Sequence, residues 1–452
     1  MKRAGGAISL WLSVLLLLTG CQGGAAKGSG ASGGEPVSME PTGELVIYRP
    51  PFTPDWVSAA IVEFRQVYKD VKVTIEDFSS GDFTKNYEEY RDRVTVELLA
   101  GEGPDVLFPA YLGMNVSKAM DNRFFLDLKP YLEQDKDFHQ EDYLPGVFDG
   151  GGAGGGQYII PLTVQLPIYL SSSQKLEEIG IGEPDSSNTA AFLRQIAGAI
   201  PQVEERESFQ QMMSSKNYFT LFLMNAGLPL IDYREKAVCT DEEKIRDFFE
   251  SYKLYYENDY EEGGMLHSDN TGFDALLEGE YYFDQINDFS ELLFTAGVLK
   301  ADGGYTLSIL RNMDGNGAVT YNSMAAVRAN TKNPVNAWRF IKFLLSETFQ
   351  SKAQREIPVH QEAIRRIAGE WQEKYQTDTV TMDRKGYSNS PITEGELMEM
   401  LDFSLLADTS TIPDYTAAQI VLEVMSPYFR NEKSYEACFD ELSSRLRIYL
   451  DE

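Results

Sequence analysis

The chain has 452 residues, of which 43% are hydrophobic and 24% charged, and this balance is typical of a globular protein with real hydrophobic cores. Its formal net charge of −30 excludes a nucleic-acid-binding surface, because phosphate binding requires clustered Lys and Arg. A chain of this length exceeds what one core usually covers, so we expect two lobes.

The N-terminal 21 residues form three short regions of distinct composition. Lys2 and Arg3 form a positive region, residues 11–18 form an apolar run, and small residues then lead to Cys21. The sequence Leu-Thr-Gly-Cys resembles the lipobox, which implies cleavage before Cys21, lipidation of its thiol and attachment to the outer face of the cell membrane. The alternative, a transmembrane helix, needs about 20 apolar residues, and this run is shorter.

The first part of the chain therefore divides into two predicted segments. Residues 1–20 are the lipoprotein signal peptide, and residues 21–43 form a flexible tether, because a stretch rich in Gly, Ser and Ala buries too little apolar surface to fold. The folded body starts with the apolar run at residues 45–48. It contains no second apolar stretch long enough to span a bilayer.

The start of the body alternates predicted strands and helices. A strand at residues 45–48, apolar positions at helical spacing from Trp56 to Tyr68, and alternation at residues 71–75 predict a β-α-β unit. A helix at roughly residues 87–100 and a strand at residues 104–108 continue the pattern of an open α/β sheet. Ligands bind beyond the carboxyl ends of such strands, so we expect the loops after these strands at the mouth of a site.

The rest of the chain offers further local signals. Six of the seven residues 150–156 are Gly, but no Gly-Lys-Ser/Thr follows, which excludes a phosphate-binding loop and favours a hairpin. An extended apolar segment at residues 162–170 precedes a helical block at roughly 189–223, which Pro201 is predicted to break. Asn333-Pro334 predicts a helix with Asn333 as its N-cap. An amphipathic helix over residues 439–450 closes the chain.

Four stretches, in this order, resemble the extracellular solute-binding proteins of carbohydrate ABC importers, the broad group that includes maltose-binding protein. They are GPDVL at 103–107 with FLDLKPYL at 125–132; GQYIIP at 156–161 with IYL at 168–170 and LEEIGI at 176–181; NPVNAWRFIKFLLSE at 333–347 through IPVH at 357–360; and IYLDE at 448–452. The chain departs from the family pattern at residues 184–192, which lack the Trp common there, and matches it poorly over 187–230.

The resemblance implies an α/β fold with two lobes of the periplasmic-binding-protein type, an interlobe cleft and hinge strands. It implies an N-lobe of residues 44–165 plus 320–358 and a C-lobe of residues 166–319 plus 359–452. The implied function is capture of a sugar or oligosaccharide and its delivery to the permease subunits of an ABC transporter. We expect a monomer without a cofactor, bound metal or catalytic residue. A surface glycan hydrolase, or the same fold binding a peptide or other polar solute, stays an alternative.

A sugar-binding cleft needs aromatic rings whose faces stack on the apolar C–H patches of a sugar, and planar polar groups that form hydrogen bonds with its hydroxyls. The implied fold puts nine such residues on cleft loops or crossing strands, and each could instead be packed or merely exposed. The candidate ligand-binding residues are Tyr48, Arg49, Phe52, Tyr111, Tyr169, Asn287, Asp288, Tyr321 and Asn322. Trp56 fits the helical apolar stripe and is predicted to be a core residue.

Catalytic and metal-binding patterns are weak. The chain has no H-E-x-x-H or G-x-S-x-G motif, and its three His residues are widely spaced. Residues 312–317 resemble the start of a calcium loop, but Ser323 stands where the bidentate Glu should be, which favours a turn. A glycosidase needs two apposed carboxylates, and nothing singles out a pair among 70 Asp and Glu residues.

Beyond Cys21, the chain has two Cys residues, Cys239 and Cys438. They could form a disulfide only if the fold brings their Cα atoms within about 7 Å. Two ordinary buried thiols are the alternative.

Overall fold

The computed structural model describes residues 39–40, 43–51, 53–79, 82–109, 114–199, 211–213, 218–259, 273–279, 281–382 and 384–451. The predicted signal peptide, Cys21 and most of the predicted tether lie outside the described residues, as do Phe52 and Tyr111. Within the described ranges, no helix is both long enough and apolar enough to cross a bilayer.

The described residues contain short strands and longer helices. The strands are β1 Glu44–Arg49, β2 Lys72–Asp77, β3 Val106–Leu107, β4 Gly152–Ala153, β5 Gly156–Gln157, β6 Ile159–Gln165, β7 Ile168–Ser172, β8 Gln211–Met213, β9 Ile231–Asp232, β10 Ala237–Val238, β11 Tyr281–Gln285, β12 Tyr305–Ile309, β13 Ala318–Val327, β14 Ile357–Pro358, β15 Thr379–Met382, β16 Lys385–Ser388 and β17 Thr409–Thr411. The α-helices are α1 Asp55–Val67, α2 Phe83–Leu99, α3 Val116–Asp121, α4 Lys129–Gln134, α5 Ser173–Glu178, α6 Thr189–Ala199, α7 Tyr218–Ala226, α8 Glu242–Asp259, α9 Phe273–Glu278, α10 Phe289–Ala301, α11 Pro334–Leu345, α12 Glu347–Gln350, α13 Gln361–Lys374, α14 Glu394–Met400, α15 Phe403–Leu406, α16 Tyr415–Phe429 and α17 Tyr435–Asp451.

The larger sheet contains the strands predicted from the start of the body. Its order is β14-β6-β13-β3-β1-β2, with β17 beside β13. β1 is parallel to β2 and to β3, which confirms the predicted β-α-β unit. β13 runs antiparallel to both β3 and β6 and parallel to β17. The amphipathic face of α1, from Trp56 to Phe64, is buried in the hydrophobic cluster on this sheet.

The smaller sheet has the order β12-β7-β11-β8, in which β7 is antiparallel to β11 and β12. A second hydrophobic cluster, rich in aromatic residues, packs beside it and includes Phe192, Phe222, Phe248 and Leu442. The predicted helical block at 189–223 divides into α6 and α7 with β8 between them, and the predicted break at Pro201 lies outside the described residues. The predicted extended segment at 162–170 divides into β6 in the larger sheet and β7 in the smaller one.

In the part of the chain that the structure describes, three short segments connect these two regions. Residues 166–167 join β6 to β7, residues 310–317 join β12 to β13, and residues 412–414 join β17 to α16. α16 packs in the second hydrophobic cluster, whereas β17 pairs with β13 in the larger sheet. The expected C-lobe segment 359–452 therefore contains one strand of the larger sheet.

The Gly-Pro-Asp motif is explained by the buried carboxylate of Asp105, which is 2% exposed. It accepts a hydrogen bond from the backbone N–H of Val46 at 2.8 Å and forms an ion pair with Arg328. Asn333 Nδ2 also donates to it at 3.2 Å. Asn333 is the N-cap residue of α11, as predicted, but its side-chain amide binds Asp105 and makes no cap hydrogen bond.

The glycine-rich segment forms a hairpin, as predicted. β4 and β5 pair antiparallel, with Gly152 opposite Gln157. At Gly151 a Cβ atom would lie 2.0 Å from the carbonyl oxygen of Ile159, so only glycine allows this close approach. These glycines therefore serve backbone packing.

The loop at residues 312–317 is a turn, which confirms the interpretation favoured from the sequence. Asn312 Oδ1 accepts hydrogen bonds from the backbone N–H groups of Asp314 and Asn316, both at 2.9 Å. The Asp314 carboxylate pairs with the ammonium of Lys244 at 2.5 Å. Cys239 and Cys438 are two thiols that do not form a disulfide.

Candidate ligand-binding site

A cavity of about 250 Å³ lies where the segment after β3, strand β13 and the crossing at residues 412–414 meet. We call it the cleft pocket. Its walls are formed by Pro109 and residues 114–117, by Tyr321, Asn322 and Met324 of β13, by Glu356, and by residues 412–416.

A second cavity of about 230 Å³ continues from the cleft pocket along α7. The two share Ser117 and residues 412–414 of the crossing. Leu223, Leu228 and Ile231 line the second cavity, so its walls are mostly apolar.

Glu356 is the half-buried carboxylate of the cleft pocket. Trp56 Nε1 donates to its Oε2 at 2.7 Å, and Asn322 Nδ2 donates to its Oε1 at 3.0 Å. Thr163 Oγ1 makes a longer contact with Oε1 at 3.5 Å. Burial raises the pKa of the Glu356 carboxyl, and the hydrogen bonds from Trp56 and Thr163 only partly oppose this shift.

Asp414 is the second carboxylate of the pocket, and it connects elements from different parts of the chain. It caps α16 by accepting from the N–H of Ala417 at 2.9 Å. The hydroxyls of Tyr233 and Tyr449 also donate to it, at 2.7 and 3.0 Å, and Asn115 Nδ2 approaches to 3.4 Å. Burial, together with the negative charge of Asp414, raises the pKa of Tyr449 to about 12.

Asn115 brings the segment after β3 into this network. Its side-chain oxygen caps α3 by accepting from Lys118 N at 2.9 Å, and its Nδ2 donates to the hydroxyls of Tyr233 and Tyr449. The wall formed by residues 114–117 is thereby tied to α17 and to the loop after β9.

Tyr415 supplies an aromatic ring to the cleft pocket. It is the first residue of α16, directly after the Asp414 cap, and 66% of it is exposed. An exposed ring on a cavity wall offers the flat apolar face on which a sugar C–H patch can stack.

Two of the predicted site residues, Tyr321 and Asn322, line the cleft pocket. Asn322 lines the cleft pocket and contacts Glu356. Tyr321 also borders the pocket, but it is only 1% exposed, and its hydroxyl donates to the Val147 carbonyl at 2.6 Å and accepts from Gly151 N at 3.0 Å. This hydroxyl is therefore occupied inside the protein.

Tyr169 lies in the second hydrophobic cluster and is 0% exposed. Its ring packs near that of Phe192, with the centroids 6.2 Å apart. Residues alternate along β7, so Ile168 and Leu170 pack in the first cluster and Tyr169 in the second. This placement favours the core alternative for Tyr169.

Tyr48 and Arg49, at the end of β1, are held by neighbouring side chains. Tyr48 is 6% exposed, its ring lies beneath the Arg93 guanidinium, and burial raises its pKa to about 12. Arg49 is paired with Asp77 and donates to Ser79 at 2.7 Å. Neither residue lines the cleft pocket or its apolar continuation.

Asn287 and Asp288 also lie outside both cavities. Asp288 is the N-cap of α10 and accepts from Glu291 N at 3.0 Å. The exposed Asn287 accepts from Gln165 Nε2 at 3.2 Å, which joins the end of β6 to the loop after β11.

The residues of the cleft pocket that do not appear among the sequence-predicted candidates include Asn115, Glu356, Asp414 and Tyr415. Pro413-Asp414 is a helix-start signal, and ligands often bind near helix N-termini, so this signal could have drawn attention to Tyr415. Glu356 directly precedes the Ile-Pro-Val segment but carries no motif of its own. Trp56 is a core residue as predicted, at 5% exposure, yet its indole N–H orients Glu356.

Comparisons with known proteins identify the family and the fold of the chain. A sequence model of the bacterial extracellular solute-binding protein family matches residues 50–351. A search of curated proteins finds no significant match.

Solved structures show the same fold. The sugar-binding protein MalE of Xanthomonas citri is 14% identical, with a TM-score of 0.63 over 90% of this chain and 97% of that one. An oligogalacturonide-binding protein of Yersinia enterocolitica is 16% identical, with a TM-score of 0.62 over 90% and 99%. An ABC substrate-binding protein of Listeria monocytogenes in complex with cycloalternan is 12% identical, with a TM-score of 0.52 over 90% and 99%. These likenesses confirm the predicted two-lobe α/β fold.

Proposed function

We propose that this chain, which belongs to the bacterial extracellular solute-binding proteins, captures a sugar or oligosaccharide and delivers it to the permease of an ABC importer. The observation that carries the proposal is the cleft pocket, where the exposed ring of Tyr415 lies on the same cavity as Asn322 and Glu356. An aromatic face with amide and carboxylate groups is the combination that sugar rings and hydroxyls require. Structural neighbours described as a sugar-binding protein and as a substrate-binding protein in complex with cycloalternan support the same ligand class.

The mechanism follows from where the pocket lies. A ligand beside the crossing at residues 412–414 contacts elements that pack in different hydrophobic clusters, so it favours the arrangement in which both sets of contacts form. The permease then recognises this closed arrangement.

The test is saturable binding without chemistry. Purified full-length protein is titrated with oligosaccharides by calorimetry, and the same mixtures are analysed for products by mass spectrometry. We expect a defined dissociation constant and unchanged saccharides. Release of shorter sugars would establish a glycan hydrolase instead, and a rise in melting temperature with peptides but with no saccharide would establish a different solute.

We further propose that the protein is held at the extracytoplasmic face of the cell membrane by lipid on Cys21. Replacing Cys21 with Ser removes the thiol that carries diacylglycerol, the main source of membrane affinity, so we expect the variant in the soluble extracellular fraction. Fractionation followed by immunoblotting measures this change. Cys239→Ser is the matched control and should stay with the membrane. Retention of the Cys21→Ser protein would contradict the lipid anchor.

A further inference from the structure

The charged groups of the cleft pocket all have the same sign. Glu356 and Asp414 line it, and no Lys, Arg or His is among its described lining residues. The apolar cavity that continues from it also has no basic lining residue within the described part of the chain. A bound anion would therefore meet two carboxylates without a compensating cation.

The two carboxylates differ in how many hydrogen bonds they already accept. An ionised carboxylate has about four acceptor positions. The acceptor positions of the Asp414 carboxylate are occupied by donors from Tyr233, Tyr449, Asn115 and the backbone of Ala417. These donors come from within the protein, so Asp414 acts as a structural centre rather than as a ligand contact.

Glu356 keeps acceptor capacity for a ligand. Its described donors are Trp56, Asn322 and the more distant Thr163, and all three are uncharged. No Lys or Arg among the described residues forms an ion pair with it. Burial opposes its ionisation, as its raised pKa shows. A hydroxyl or ammonium donor would compensate this carboxylate, whereas a second carboxylate would repel it.

We infer that the cleft pocket selects saccharides that carry no negative charge, with Glu356 as the specificity-determining residue. This inference rests on the proposed function and adds the chemical class of its ligand: neutral or amino sugars that donate hydrogen bonds to Glu356, and not uronates. Two like charges about 6 Å apart at an effective dielectric constant of about 20 correspond to an affinity loss of about 100-fold.

The experiment uses full-length protein and matched oligosaccharides. One series is cellotriose, its glucosamine trimer and its glucuronate trimer; the other is α-1,4-galactotriose and trigalacturonate. We expect that the saccharides that bind are neutral or amino sugars, and that each uronate binds about 100-fold more weakly than its neutral counterpart or not at all. A uronate that binds as tightly as its neutral counterpart overturns the inference and leaves the proposed function intact. Binding of no saccharide in the panel overturns both.

Glu356→Gln separates charge selection from a structural role. The substitution removes the negative charge but keeps the shape, so the ratio of uronate to neutral dissociation constants should fall at least about ten-fold. Loss of a purely structural contact would change both constants equally and leave the ratio unmoved, which would contradict the role of Glu356. Glu396→Gln, at a carboxylate paired with Lys300 outside the pocket, is the matched control and should leave the ratio unchanged. The wild-type ranking decides the question even if Glu356→Gln does not fold.

Discussion

Tyr169 on β7 and Tyr415 at the start of α16 both lie next to a crossing between the lobes, but their rings meet different surroundings. Tyr169 is 0% exposed within the second hydrophobic cluster, whereas Tyr415 is 66% exposed on the wall of the cleft pocket. β7 is buried throughout, because β11 and β12 pair with its two edges and a hydrophobic cluster covers each face.

The difference shows that closeness to a crossing does not by itself make a binding residue. Every position of β7 is buried, so its alternation only decides which core a side chain enters. The first residue of a helix instead stands at the edge of the packed region, where its side chain can face a cavity. Mutation of an aromatic residue buried in a strand should lower stability, whereas mutation of an exposed aromatic residue at a helix start should weaken ligand binding.

Tyr169→Ala is expected to have the largest effect. Truncating a fully buried aromatic side chain removes its packing in the second cluster and should lower the free energy of unfolding by about 3–5 kcal/mol. The saccharide affinity of the folded fraction should not change. Thermal and urea unfolding together with calorimetry measure both quantities. Normal stability combined with weak binding would place Tyr169 in the ligand site after all.

Tyr415→Ala should give the reverse pattern. Loss of one stacking face should weaken saccharide binding by about 1–3 kcal/mol. The melting temperature should change little, because the Tyr415 side chain is mostly exposed and contributes little to a core. Tyr415→Phe keeps the ring and serves as the control, with near wild-type affinity expected. Unchanged binding by Tyr415→Ala would remove this wall from the proposed site.

Asp414→Ala tests the hydrogen-bond centre between these regions. The substitution removes the α16 cap and the acceptor of the Tyr233 and Tyr449 hydroxyls, so we expect a loss of about 2 kcal/mol in stability. Asp82→Ala removes only the cap of α2, with its 3.0 Å bond from Lys85 N, and should cost about 1 kcal/mol. Equal losses in the two variants, measured by urea unfolding, would show that the tyrosine contacts add nothing.

The smallest expected effect concerns how stability changes with pH, and its sign should differ between Glu356 and Glu396. Burial raises the pKa of Glu356, so its contribution to stability is greatest at low pH and is lost as pH rises through the folded-state pKa. Burial alone would raise the pKa of Glu396, but hydrogen bonds from Lys300 and Thr393 outweigh burial and lower this pKa to about 2. The stability that Glu396 contributes is therefore lost as pH falls from about 4 to 2.

Melting temperatures of wild type, Glu356→Gln and Glu396→Gln measure these slopes. From pH 4 to 7 the wild type should become less stable relative to Glu356→Gln. Between pH 2 and 4 it should become more stable relative to Glu396→Gln. Slopes of the same sign in the two comparisons would contradict the assigned environments.

Local signals in the sequence were sufficient for much of the fold. Apolar spacing predicted α1, α11 and α17, alternation predicted β2, and the ordered family-like stretches pointed to the two-lobe architecture. These features depend on residues within one turn or one strand of each other, where periodicity directly reports which face is buried. Asn322 was the described candidate that both lies in the pocket and contacts its carboxylate.

The tertiary structure alone decided which polar and aromatic residues meet at the cleft. Trp56 and Glu356 are 300 positions apart, and Asn115 and Tyr449 are 334 apart, yet each pair shares a hydrogen bond. Tyr169 and Tyr415 lie in similar local sequence, since each follows an apolar segment that contains Pro. Their roles differ because β7 is buried on both faces, which places Tyr169 in a core. A sequence records which side of a strand or helix is apolar, but not which distant surfaces close over it, and that closure determines whether a side chain faces a core or a ligand.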